Sequence, residues 1–356
     1  MRSDERCGRL LDAIRALPLG ETEIMEVCGT HTMSIAKAGI RSLLPPNVRL
    51  ISGPGCPVCV TPPEDIDAVL ELAMEKDVIL TSYGDMLRVP GSRRGDSLLR
   101  RRALGADVRI VYSPMDALAI ARQEPGKQVV FLGIGFETTA PGTAAAVLAA
   151  KEQKLENFTV FSMLKSVEPA LRVLMATEDF AINGFLCPGH VATIIGEEGF
   201  RFLPEEYHMP GVIAGFEPEE ILLAVWLLLR QIAEGTADIQ NAYPRAVRPE
   251  GNPLARKMMR DCFCMESARW RGLGEIPESG FALKEELSGF NAAERFAIRP
   301  GEAALQNGCR CGDVITGKLR PRECPLFGKA CTPEDPVGPC MVSSEGACAA
   351  EFKYQS

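Results

Sequence analysis

From residue 24 to about 235 the chain repeats one unit: a short apolar, β-rich run, a loop containing glycine or proline, and often an amphipathic helix pattern. The runs are Ile24–Val27, Val48–Ile51, Val78–Leu80, Val108–Val111, Val129–Ile134, Phe158–Phe161, Ile182–Leu186 and Val212–Ala214. Helix-like stretches follow several of them, among them PEDIDAVLELAMEK and PGTAAAVLAAKEQK. Strands that alternate with helices predict an α/β fold with mostly parallel sheets. A Gly-Phe-Glu triplet follows an apolar run at 135–137 and again at 215–217, which hints at two related halves.

The chemistry-bearing residues sit in the loops after these runs. They read CGTHT (28–32), GPGCPVC (53–59), SYGDM (82–86), YSPMD (112–116), GFETTAP (135–141) and CPGHV (187–191). Ligand sites of open α/β sheets gather at the carboxyl ends of strands, so these loops predict one shared cleft.

Beyond about residue 244 the texture changes. NAYPRAVRPEGNPLARKMMRDCFC has no strand rhythm, WRGLGEIPESG reads as loop, and the last 50 residues are rich in Cys, Pro and Gly. Such a segment lacks the apolar surface for its own core, and a metal centre is the natural agent to order it.

Composition narrows the function classes. The 356 residues are 46% hydrophobic and 24% charged, as in a soluble globular protein. A net charge of −8 argues against a nucleic-acid surface. The N-terminus has an amphipathic helix pattern without an apolar signal core, and Ile221–Leu229 is too short for the roughly 20 residues of a membrane span. A cytoplasmic protein is expected, and there thirteen cysteines speak for metal or catalysis rather than structural disulfides.

Six of them, Cys309, Cys311, Cys324, Cys331, Cys340 and Cys348, fall within 40 residues. The spacings C-x14-C (309 to 324), C-x6-C (324 to 331) and C-x16-C (331 to 348) are long. They favour an iron–sulfur cluster over zinc, whose structural sites use short C-x2-C knuckles. Spacing does not choose four ligands from six: Cys311 can replace Cys309, and Cys340 can replace Cys348.

Cys56 and Cys59 form a C-P-V-C in a glycine-rich loop, a spacing that suits thiol–disulfide chemistry or metal holding. Cys28 and His31 can reach one point if a helix begins between them. His190 lies in a second strand-end loop. Glu137 is a candidate acid, base or metal ligand facing the cleft, or a support for a helix N-terminus. No complete nucleotide-binding fingerprint is present.

CGTHT, GPGCPVC, GFETTAP, PGHVATIIG and the terminal cysteine array occur in the order expected for the HypD family of [NiFe]-hydrogenase maturation proteins, and the chain resembles that family over nearly its whole length. The resemblance implies two similar α/β domains, placed here at 24–125 and 126–244. A smaller, loop- and helix-rich iron–sulfur domain would comprise 1–23 and 245–356. It also implies a [4Fe–4S] cluster on Cys309, Cys324, Cys331 and Cys348, with Cys311 and Cys340 as bystanders. Cys28 would hold iron under assembly, a transient iron carrying CN and CO, and Cys56 and Cys59 would be redox thiols beside it. The implied partners are the small chaperone HypC and the cyanide donor HypE. The expected role is a redox-active assembly scaffold. The competing readings are an iron–sulfur thiol–disulfide reductase acting on proteins and a zinc-stabilised binding protein.

Overall fold

A computed structural model describes residues 2–299, 301 and 308–354, so 302–307, which the sequence places in the cysteine-rich region, lie outside it. Nine strands form two wholly parallel sheets. They are β1 (Thr22–Glu26), β2 (Val48–Ser52), β3 (Val78–Ser82), β4 (Asp107–Ile110), β5 (Gln128–Gly135), β6 (Phe158–Leu164), β7 (Gly184–Pro188), β8 (Gly211–Ala214) and β9 (Ile239–Asn241). One sheet has the order β2-β1-β7-β8-β9 and the other β4-β3-β5-β6. Each of the eight expected runs is a strand; β9 is an addition.

The partition of strands differs from the expected one. A boundary between 125 and 126 separates β4 from β5, which share a sheet, while β1 and β2 pair with the sheet of β7, β8 and β9. The second α/β unit is therefore inserted into the first. Sequence rhythm marks each strand locally, but its neighbours are chosen by hydrogen bonds across long loops, such as Ile24 opposite Gly184. The two sheets nonetheless share one winding: the first two strands of each lie side by side, and the third sits on the other side of the first. The Gly-Phe-Glu triplets follow the third strand of one sheet and the fourth of the other, so the kinship lies in topology and not in that triplet.

Two further corrections concern the flanks. The N-terminal helix Arg2–Arg15, expected with the cysteine-rich region, packs on the helix Pro218–Glu234, and its Leu11 and Ile14 join the core around β1 and β8. The segment that reads as loop is largely a β-hairpin: β10 (Phe263–Trp270) pairs antiparallel with β11 (Gly274–Leu283). The middle of β10 is exposed on both faces and its register is broken between Glu266 and Ala268, so it carries no in–out alternation for periodicity to find. Among the described residues no helix is long and apolar enough to cross a membrane.

Candidate thiol site

The loops after β1 and β2 lock together before any thiol is considered. Gly29 N–H donates to Gly55 O (3.0 Å) and Gly53 N–H to Glu26 O (2.9 Å). A Cβ on Gly55 would stand 2.3 Å from Cys28 N, so only glycine permits this approach. Cys28 then caps the helix Gly29–Lys37 in extended conformation. Its thiol is buried, and burial together with the charge of Glu345 pushes its pKa up to about 11.

Two turns of chemistry follow from the neighbouring loop. Pro57 starts the short helix Pro57–Val60, and Cys56 Sγ accepts a hydrogen bond from Cys59 N–H at 3.2 Å. Cys56 and Cys59 form a disulfide with their Cα atoms 5.2 Å apart. They are 5% and 0% exposed. This helix packs on β5 of the other sheet, on the helix Cys311–Ile315 and on the turn Pro339–Met341. CPVC is thus the junction of both sheets with the cysteine-rich segment.

All six cysteines of that segment line one cavity of about 320 Å³, counting its open mouth. Val314, Leu326, Phe327, Gly338 and Met341 complete its wall. Cys311 Sγ lies 2.7 Å from Cys340 Sγ, and both are nearly inaccessible. Hydrogen bonding to Cys311, followed by burial, raises Cys309. Val337 N–H donates to Cys331 Sγ (3.3 Å). Among the described residues no three Cys, His, Asp or Glu side chains converge as they would on a single ion; the thiols surround a void instead.

The segment returns to Cys28 through Glu345. Thr30 Oγ1 donates to Glu345 Oε1 (2.6 Å), and Glu345 Cβ fills the place where a side chain on Gly29 would go. Burial raises the pKa of Glu345, and the Thr30 bond opposes it. The sequence singled out Thr30 only as part of CGTHT and Glu345 not at all; the one signal for Glu345 was its position between Cys340 and Cys348.

The remaining candidates lie elsewhere. His31 is fully buried, and its Nε2 faces Ala214 O (3.2 Å) and Gly215 O (2.9 Å). Two carbonyl acceptors require a proton on Nε2, so the ring is the neutral tautomer with Nδ1 bare. Burial lowers its pKa to about 4. His31 and the exposed His190 both stack on Phe216, with ring centroids 4.8 and 3.8 Å from it. The imidazole of His31 is thereby committed to the end of β8. Glu137 caps not the helix that follows it, Ala140–Glu152, but the one after the next strand: its Oε1 accepts from Ser166 Oγ (2.8 Å) and Val167 N–H (3.0 Å) at the start of Val167–Met175. Its carboxyl is buried, which raises its pKa. Cys187 and Cys262 are buried in separate cores.

Sequence reasoning also passed over Arg271, in the hairpin turn. Its N–H donates to Val60 O (2.8 Å) and its Nε to Thr61 O (3.0 Å), so it holds the far end of the CPVC helix. The adjacent Gly272 touches Gly312 of the helix Cys311–Ile315.

The fold and the site define a thiol-centred α/β protein, in which two parallel sheets meet a six-cysteine cavity at a disulfide loop. A family model described as HypD, hydrogenase formation hypA family, matches residues 5–355, and the chain belongs to the HypD family. The hydrogenase expression/formation protein HupD of Azotobacter chroococcum mcd 1 is 46% identical over 348 residues, covering 96% of this chain and 92% of that protein. The hydrogenase maturation factor HypD of Escherichia coli (strain K12) is 46% identical over 333 residues, covering 93% and 89%. The hydrogenase maturation factor HypD2 of Bradyrhizobium diazoefficiens is 45% identical over 362 residues, covering 99% and 95%.

Proposed function

We propose that this chain is a hydrogenase maturation factor that serves as a redox-active scaffold for the Fe(CN)2CO centre of [NiFe]-hydrogenase. The observation that carries the reading is the place of the CPVC helix, in contact with the cysteine-lined cavity on one side and following the loop locked to Cys28 on the other. The names of the relatives supply the maturation role.

The cavity suits a [4Fe–4S] cluster: soft thiolates on its wall, an apolar surround, and a backbone N–H on Cys331 Sγ, as iron–sulfur sites use to tune potential. Cys309, Cys324, Cys331 and Cys348 are the ligands we assign, with Cys311 and Cys340 paired beside them. A cluster held there would supply single electrons. The Cys56–Cys59 bond takes up two electrons and two protons to become two thiols, and gives them back when it closes again. Cys28 loses its thiol proton when its sulfur binds the cargo iron, which carries CN and CO as substrate. Thr30 and Glu345 fix the loop that presents this thiol. HypC and HypE are the partners that would bring and complete the cargo.

The alternative, a thiol–disulfide reductase for protein substrates, needs a disulfide that a bulky dithiol can reach; Cys56 and Cys59 are closed off. Anaerobic purification tests the first half of the reading: brown protein with visible absorbance, iron and sulfide is expected, and colourless zinc-loaded protein sinks it. Infrared bands of CN and CO on the complex with the small chaperone test the second half, and their absence from a complex that retains iron rejects it.

A further inference from the structure

One edge of the β4-β3-β5-β6 sheet is left open. β6, at the other edge, is covered: Val160 bridges to Asn291 and Lys165 to Gly280. β4 has β3 as its one neighbour among the described residues. Five of the nine large apolar side chains exposed among the described residues flank or belong to β4: Leu99, Leu104, Ile110, Tyr112 and Met115. Leu104, just before the strand, is 65% exposed, and Tyr112, just after it, 91%. Apolar groups gathered in this way mark an interaction site more often than a surface that stays in water. Tyr112 opens the YSPMD loop, a strand-end motif that the thiol chemistry does not use.

The charges beside these groups are unbalanced. Asp96 is bonded by Arg101, Asp107 and Glu124 by Arg109, and Asp116 by the N–H groups of Tyr112 and Ser113. Arg100 and Arg102, exposed on the helix Leu98–Ala103, make no ion pair among the described residues. The result is a cationic surface on a chain whose net charge is −8.

We propose that this edge docks an acidic, extended segment of a protein partner, which adds to β4 as a further strand. An open edge offers backbone N–H and C=O groups to such a segment, and their pairing gives affinity without a preformed pocket. Apolar side chains of the segment cover Leu104 and Tyr112 at the two ends of the strand, while Arg100 and Arg102 select its charge. A second copy of this chain fits less well, because an isologous pairing of two β4 edges sets the same arginines against each other. The edge also leads toward the thiol site. Val111 N–H donates to Ser82 O (3.0 Å), and the loop after Ser82 carries Asp85 to Ser343 of the cysteine-rich segment. The inference goes beyond the maturation role and does not depend on it.

Fluorescence anisotropy of labelled peptides with the full-length, anaerobically purified protein tests it. The probes are a short peptide of alternating valine and glutamate, its valine–lysine counterpart, and the glutamate peptide with every backbone nitrogen methylated. Saturable binding of the glutamate peptide is expected, with the lysine peptide and the methylated one, which cannot donate to a strand edge, weaker by roughly tenfold or more. Changing Arg100 and Arg102 together to Glu should cancel the preference for glutamate, and Tyr112→Ser should weaken binding several-fold. Absence of saturable binding, equal affinity for the lysine peptide, or undiminished binding of the methylated peptide overturns the proposal. So does a folded double variant that keeps the preference. The peptide comparisons use the unaltered protein, so they decide even where a variant misfolds. Sedimentation of the protein alone is the last arm: a monomer is expected, and a dimer that Tyr112→Ser dissociates gives the edge to a second copy and overturns the proposal as well.

Discussion

Thr30 donates a 2.6 Å hydrogen bond to Glu345 across 315 positions of sequence, and this bond closes the C-terminal segment onto the loop that presents Cys28. The carboxylate is mostly buried, and Asp85 approaches it from a third element, the turn Gly84–Arg88, where its Oδ2 accepts from Ser343 Oγ at 3.3 Å. A contact so placed couples the cysteine-lined cavity to the first sheet.

Removing that tie should act at a distance. Glu345→Ala is expected to lower stability by about 1–3 kcal/mol, the range for a buried hydrogen-bonded partner left unpaired. Hydrogenase maturation in a complemented strain should fall with it, whereas Glu345→Gln, which still accepts from Thr30, should retain more. Chemical denaturation and hydrogenase activity in the same variants check both.

Separating the disulfide from the cavity should be possible. Changing Cys56 and Cys59 together to Ala should abolish maturation while iron, sulfide and visible absorbance persist, because the array lies in another segment. A double variant that matures hydrogenase normally would remove CPVC from the electron path.

Filling the cavity should mimic loss of a ligand. A Cβ on Gly338 would lie 2.5 Å from Cys309 Sγ, so Gly338→Val pushes that thiol off the cavity wall. Iron content should drop, as it should in Cys324→Ala and Cys331→Ala, whereas Cys311→Ala and Cys340→Ala should keep most of it. Iron analysis with absorbance spectra measures the difference.

His31 sets a pH dependence of stability. Its pKa is about 4 in the fold against 6.5 unfolded, so below 6.5 the unfolded chain takes up a proton that the native one refuses. The stabilisation is present above pH 6.5 and is lost as pH falls toward 4, by ~3 kcal/mol in all. His31→Gln, which can still donate to the carbonyls of Ala214 and Gly215, should flatten the stability curve over that window. Urea titrations at pH 7, 5.5 and 4.5 make the comparison.

Sequence by itself determined the eight strand runs, their parallel α/β character and the thiol loops, because each is a local pattern: a β-rich run, a glycine beside a close approach, a cysteine spacing. It also marked the six-cysteine array as one site, and Cys309 through Cys348 do line one cavity. Three things were decided only in the tertiary structure. Which strands share a sheet depended on hydrogen bonds such as those between β1 and β7, whose registers are invisible in a strand's own residues. The partners of His31 and Glu137 came from β8 and the helix Val167–Met175, so side chains that read as candidate catalysts are held by distant backbone. Glu345 and Arg271, each in a segment without strand or helix rhythm, gained their places because burial makes a polar group seek whatever acceptor or donor the fold brings within reach.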